Sequence, residues 1–191
     1  MLVLDMIEPA IPRNEADRLQ ALRALGLLDS PPEKAFDDVV ALTRAVLDVP
    51  MAMISLIDSE RQWFKAAAGL DAQEAPRSLS FCGHAIHQPD VFVVPDATVD
   101  PRFHDNPFVV GEPYVRFYAG FPLTHPGGFR IGTLCALSPV PRDEFDAEGR
   151  ARLRMLGAVA LDAIELRSAR SELVRLRSAL DCHAAARAAG K

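Results

Sequence analysis

"YVRFYAGFPLTHPGGFRIGTLCALSP", Tyr114 to Pro139, is the stretch on which the fold turns. Two apolar, β-rich runs flank His125-Pro126-Gly127-Gly128, the signature of a hairpin. Side chains alternate along the first run. Arg116 and Tyr118 share one face; Val115, Phe117 and Ala119 share the other. The apolar set suits a helix-covered core, which leaves Arg116 and Tyr118 on a second, half-closed side. An arginine there has to be paired. An anionic ligand held bidentately would pair it. So would Asp96, Asp100 or Asp105, as a clamp that needs no ligand. Arg77 and Arg102 admit the same two readings.

Upstream, "MAMISLIDSERQWFKAAAG" repeats the hairpin pattern: Met51–Ile57 runs out, "DSER" turns, and "QWFKAAAG" returns. Two helices precede it. In "PRNEADRLQALRALGLLD", Asn14 is a plausible N-cap and Leu19, Leu22, Leu25 and Leu28 recur at threes, with an end near Gly26. In "SPPEKAFDDVVALTRAVLDVP", Ser30 is the expected cap and Pro31 and Pro32 fill the first turn. Phe36, Val39, Val40, Thr43, Val46 and Leu47 make the apolar face, and Pro50 closes the helix. Between the hairpins lie a polar loop, "LDAQEAPRSLS", and a short helix, "FCGHAIHQ", capped by Ser80. A strand, "VFVVPDA", follows, and then "TVDPRFHDNPFV", too rich in proline for more than short helical turns.

The end of the chain reads as one long helix capped by Asp146, with Gly149 a weak spot. Leu153, Leu156, Val159, Ala160 and Ala163 are offered to a core. Beyond them Leu166, Leu173 and Leu180 fall seven apart, with Ala169 and Leu176 between. This short heptad run predicts self-association as a homodimer. The element order predicts an α+β fold of the α/β class: an antiparallel sheet, helices on one face, irregular segments forming a lid over a pocket on the other, and a long C-terminal helix.

The totals restrict function. In 191 residues, 49 % are apolar and the net charge is −5. The mixed charge excludes a basic nucleic-acid surface. No apolar run reaches the ~18 residues of a membrane span. The start of the chain is a poor signal peptide. Three widely spaced cysteines, Cys82, Cys135 and Cys182, are no secreted disulfide framework. The expected compartment is the cytoplasm.

"SFCGHAI", "VPDATVDPRF", "RFYAGFPL" and "IGTLCAL" together resemble the GAF domain family, in the bacterial subgroup joined to histidine kinases or cyclic-dinucleotide enzymes. The resemblance runs from about Asn14 to Leu166. It divides the chain into an N-terminal extension, 1–13, a GAF domain, 14–166, and a helical tail, 167–191. It implies a sheet of five or six antiparallel strands whose lid-covered face holds a small molecule. No kinase, phosphodiesterase or DNA-binding module follows in this chain, so a separate signalling partner is expected to carry the output. The signatures of bilin-binding and cyclic-nucleotide-binding members are absent. No cofactor is required by the residues present, and the ligand stays unidentified.

On that template, Phe81, Cys82, His84, Asp96, Arg102, Phe103, Asn106, Arg116, Tyr118 and Cys135 are the expected ligand-contacting residues. Cys82 opens the short lid helix, where backbone N–H groups favour a thiolate. Cys135 lies on the last strand, which the fold brings close. Two readings stand: a redox pair, or two small buried apolar residues. The first leads to an alternative function, a small thiol redox enzyme of the free methionine sulfoxide reductase kind. The catalytic cysteine motifs of those enzymes are spelled differently from any here. His84, His87 and His104 invite a metal or haem reading, but polar caps and surface histidines account for the same letters, and no metal is assigned. The leading expectation is a sensor in which a ligand orders the lid and biases a helical dimer interface.

Overall fold

The computed structural model describes residues 6–189. Residues 1–5 of the expected extension, residues 190–191 of the tail and the Cys182 side chain lie outside the described residues.

Two helices come first, α1 (Glu15–Ala24) and α2 (Lys34–Leu47). The strands are β1 (Met51–Ile57), β2 (Arg61–Ala68), β3 (Glu74–Pro76), β4 (Phe92–Val94), β5 (Phe117–Thr124) and β6 (Arg130–Ser138). Between β3 and β5 the chain also forms a 3-10 turn (Arg77–Leu79) and two short helices, α3 (Phe81–Ala85) and α4 (Pro107–Val110). The last element is α5 (Ala147–Ala189). All six strands pair antiparallel in the order β3-β2-β1-β6-β5-β4, so the fold is α+β with a long C-terminal helix. Among the described residues no helix is long and apolar enough to cross a membrane.

Residue parity divides the core. Ala52, Ile54 and Leu56 of β1 and Phe117, Ala119 and Leu123 of β5 meet α2 and α5 through Phe36, Val39, Val40, Leu153, Leu156 and Ala160. Met51 and Met53 of β1, Tyr118 of β5 and Cys135 and Leu137 of β6 face the opposite way, toward α3 and the 92–115 segment. Ile54 sits opposite Ala66 and Ser55 opposite Phe64, so Lys65 is an extra residue in β2. Its buried ammonium pairs with Glu33 at 2.6 Å and donates to Ser30 Oγ and the Pro31 carbonyl.

Several sequence expectations are corrected. Ser30 does not cap α2: Glu33 holds that position, and Ser30 Oγ donates to the Leu27 carbonyl while receiving Lys65. The Pro31-Pro32 pair precedes the helix rather than forming its first turn, because each proline disfavours helical backbone in the residue before it. Leu27 is fully buried and Leu28 only partly, because Gly26 enters the left-handed region (φ 58°) and rotates the chain. The "LDAQEAP" loop contains the edge strand β3. Val115 belongs to the lid-side cluster, since β5 begins only at Phe117 and the alternation does not reach back to it. Val159 is exposed on α5, one residue before the fully buried Ala160. Two caps are as expected: Ser80 Oγ accepts from the Gly83 N–H at 2.8 Å, and Asp146 Oδ1 from the Gly149 N–H at 2.7 Å.

Candidate functional site

The lid is anchored by side chains that the sequence places at its helix starts. Ser80 caps α3 and also donates to Gln62 Oε1 of β2 at 2.7 Å, tying the helix to the sheet. Asn106 is fully buried. Its Oδ1 accepts from the Phe108 N–H to cap α4, and its Nδ2 donates to the Leu79 carbonyl, both at 2.9 Å. Beneath these anchors Phe81 stacks on Phe103 with ring centroids 4.0 Å apart, and Tyr118 stacks on Phe81 at 5.3 Å. Gly120 makes room for this: a Cβ there would lie 2.2 Å from the Tyr118 hydroxyl.

Cys82 and Cys135 meet under the lid. Their sulfurs are 3.7 Å apart, both buried, and the Tyr118 hydroxyl donates to Cys82 Sγ at 3.3 Å. Burial pushes the Cys82 thiol up, but hydrogen bonds from Cys135 and its polar neighbours outweigh burial and leave it lowered to about 7. Burial and the adjoining Cys82 sulfur push Cys135 well up. The surroundings thus favour a thiolate at Cys82 over one at Cys135.

Beside them lies a cavity of about 440 Å³. Met53, Phe64, Leu70, Val115 and Leu137 make its apolar wall, joined by Phe81, Cys82 and Tyr118. Its charged lining residues are Asp71, Glu74 and Glu112; no Lys, Arg or His lines it. Glu74 is paired with Arg61 at 2.5 Å.

The structure therefore brings together Phe81, Cys82, Tyr118 and, just behind, Cys135, and sends the other expected residues elsewhere. Arg116 Nη1 donates to the carbonyls of Val109 and Val115, clamping α4 through backbone. Arg102 pairs with Asp100 and lies over the Phe92 and Phe103 rings, 4.8 and 5.2 Å from their centroids. Phe103 is consumed by the aromatic stack, and Asn106 by its two anchoring bonds. Asp96 closes its own turn onto Thr98. Arg77 pairs with Glu15. His84 and His87 reach the carbonyls of Ile7 and Ala10, so they fasten the N-terminal segment across α3, where Pro9 packs on Gly83. His104 is exposed.

The cavity wall from β1, β2 and the 70–76 segment lies outside the residues expected from sequence. A signal existed in the period-two alternation of Met51 and Met53, which share a face with Tyr118 once β1 and β5 flank β6. The acidic rim carried no such signal, because "LDAQEAP" reads as an ordinary solvated loop.

The GAF domain family model matches residues 31–164. Over 137 residues the chain is 44 % identical to a cyclic di-GMP phosphodiesterase from Pseudomonas aeruginosa; the match covers 72 % of this chain and 23 % of that protein. The chain thus spans about a quarter of that relative's length. Among solved structures, the GAF domain of an Acinetobacter phosphoenolpyruvate-protein phosphotransferase aligns with a TM-score of 0.59 at 18 % identity, covering 82 % of this chain and 98 % of that one. A free methionine-R-sulfoxide reductase from Neisseria meningitidis, in complex with its substrate, aligns with a TM-score of 0.58 at 18 % identity, covering 88 % and 99 %. At these identities the two structures share the fold.

Proposed function

Because this chain belongs to the GAF domain family, we propose that it is a cytoplasmic signalling module that senses a small molecule held in the 440 Å³ cavity beneath its lid. The cavity carries the reading. It has the size and apolar lining of a ligand pocket, with a few polar groups at its edge. Its chemistry selects against anions, since carboxylates ring it without a lysine, arginine or histidine in the lining. The expected ligand is a compact apolar molecule, neutral or carrying a positive charge.

A route from lid to output is built in. The segment joining α3 to β4 is bonded directly to α5: Arg154 pairs with Asp90 at 2.5 Å, and Arg150 donates to the Val91 carbonyl at 3.1 Å. A ligand that favours one position of the lid biases the position of α5 through these contacts. The output acts on a signalling partner, and the likeness to a cyclic di-GMP phosphodiesterase directs the search toward cyclic-dinucleotide enzymes.

Native mass spectrometry of the purified chain tests this. A retained neutral or cationic apolar compound, lost in Val115→Phe, supports it. A retained anion lost in Arg116→Ala overturns it, and so does a cavity that stays empty against a metabolite extract.

The 3.7 Å approach of Cys82 to Cys135 supports a second reading, thiol chemistry on a sulfoxide bound in the same cavity. The Cys82 thiolate takes the sulfoxide oxygen, releasing the sulfide and leaving a sulfenic acid. The Cys135 thiol then displaces water to close a disulfide, which an external dithiol must reduce. Turnover of methionine sulfoxide that disappears in Cys82→Ser decides for it; none in the wild type decides against it.

A further inference from the structure

The buried charges beside α1 do not balance. Arg18 is 1 % exposed and Arg77 4 %. One carboxylate serves both: Glu15 accepts from Arg18 Nε at 2.7 Å and Nη2 at 2.8 Å, and from Arg77 Nη1 at 2.5 Å. Asp58, whose carbonyl also receives Arg77, has its carboxylate paired with Arg23 and Arg61. Two buried guanidinium ions therefore share a single anion. Three of their nitrogens, Arg18 Nη1 and Arg77 Nε and Nη2, are buried with no hydrogen-bond partner among the described residues. A buried cation short of partners is costly, so the cluster is built to be joined by a further acceptor.

Arg18 also forms part of the wall of a cleft of about 210 Å³, separate from the cavity beneath the lid. Three distant parts of the chain meet there. Pro12, Arg13 and Asn14 come from the approach to α1, Ile86 and His87 from just after α3, and Gly128 and Arg130 from the turn between β5 and β6. Arg13 and Arg130 form no ion pair among the described residues; Arg130 Nη1 makes one long hydrogen bond, to the Ile86 carbonyl at 3.4 Å. Among the described residues no Asp or Glu lines the cleft. Its charge is thus the reverse of the lid cavity's, where Asp71, Glu74 and Glu112 stand without a cation.

We propose that this cleft is a second binding site, for a phosphate group, free or carried by a small monoester. Arg18 Nη1 is its buried donor, and Arg13 and Arg130 supply two further guanidinium forks, which match phosphate oxygens in pairs. A phosphate carries nearly two negative charges at neutral pH, more than a carboxylate, and so offsets both the surplus of the Arg18–Glu15–Arg77 cluster and the unpaired surface arginines. The volume, under half that of the lid cavity, suits a phosphate with a short substituent. Bound there, it ties the N-terminal segment to the end of α3 and to the β5–β6 turn, at the edge where His87 Nε2 already donates to the Ala10 carbonyl at 2.8 Å.

Isothermal titration calorimetry of the full-length chain with inorganic phosphate tests it, at low salt so that screening does not hide the binding. One site per chain is expected. Arg13→Gln and Arg130→Gln should each weaken it about tenfold, by loss of a charge-assisted hydrogen bond. Both side chains reach solvent, so the melting temperature without phosphate holds; Arg18 is left intact because it also holds Glu15. Arg170→Gln, an exposed arginine of α5, leaves the affinity unchanged. So does Val115→Phe, which keeps this site distinct from the lid cavity and its failure separable from that of the sensing reading. Methyl phosphate bound more tightly than inorganic phosphate assigns the site to an ester, and the reverse order to the free ion. No binding at any concentration reached, binding that survives both Arg13→Gln and Arg130→Gln, or an equal loss in Arg170→Gln overturns the site. Succinate bound more tightly than phosphate overturns the choice of phosphate.

Discussion

Phe117 and Tyr118 are neighbours in β5, and the two faces of the sheet differ as they do. On the helix side Phe117 is fully buried against Phe145, and the core around it is filled by interleaved aliphatic side chains. On the lid side Tyr118 is equally buried, but it stands among a thiol pair, a polar anchor at Ser80 and a cavity of about 440 Å³. One strand thus serves two purposes because successive side chains point to opposite faces. The filled face holds the domain together. The other face gives up packing density, and the space it keeps is what a ligand can use.

The sharpest way to break this contrast is on the filled face. Phe117→Ala should destabilise by about 3–5 kcal/mol, seen as a large drop in urea midpoint with little change in slope. Enlarging side chains tests the same contrast from the other direction. Ala136→Leu, fully buried on the helix side, should destabilise by about 1–3 kcal/mol. Val115→Phe points into the cavity and should shift stability by under about 1 kcal/mol while abolishing ligand retention. Equal losses from the two enlargements would mean that the lid face is packed as tightly as the other.

The thiols sharpen the comparison further. Cys82 lines the cavity and Cys135 does not. In Cys182→Ser protein, alkylation by iodoacetamide should modify Cys82 first, with a rate rising through pH about 7 as the thiolate forms. Cys135 should stay unmodified until the protein unfolds. Val115→Phe should slow the reaction at Cys82; an unchanged rate would mean that reagent enters by another path.

The smallest expected effect concerns His84, which fastens the N-terminal segment over α3. Burial lowers its imidazole below the ordinary range, against the opposing effect of the hydrogen bond it donates to the Ile7 carbonyl. The unfolded histidine therefore takes up a proton more readily than the folded one. Its contribution is complete above about pH 6.5 and is lost as pH falls through the lowered value. The melting temperature should decline between about pH 7 and pH 5, and His84→Gln should flatten that decline.

Local rules made much of the fold legible. The alternation in "VRFYAGFPL", the caps at Ser80 and Asp146 and the heptad leucines depend on residues close in sequence, and the structure uses the caps and the β5 alternation in that way. Ser30 shows where local rules stop. Its hydroxyl suits a helix cap, but a buried lysine 35 residues further on needs an acceptor, and that need decides its place. Arg116 reads in the sequence as a cation in want of a carboxylate or a ligand; backbone carbonyls of α4 and its flank, which carry no sequence signature, satisfy it instead.

Which side chains share a face follows from the order of residues alone, because strand and helix periods are fixed by backbone geometry. For the same reason Leu166, Leu173 and Leu180 share one face of α5. Packing of distant elements is what makes Met53, Phe64 and Leu137 wall the cavity with Phe81 and Tyr118, and what sets acids rather than arginines at its edge. Those groups come from elements far apart in the chain, and whether packed elements leave a void between them depends on all of their shapes together.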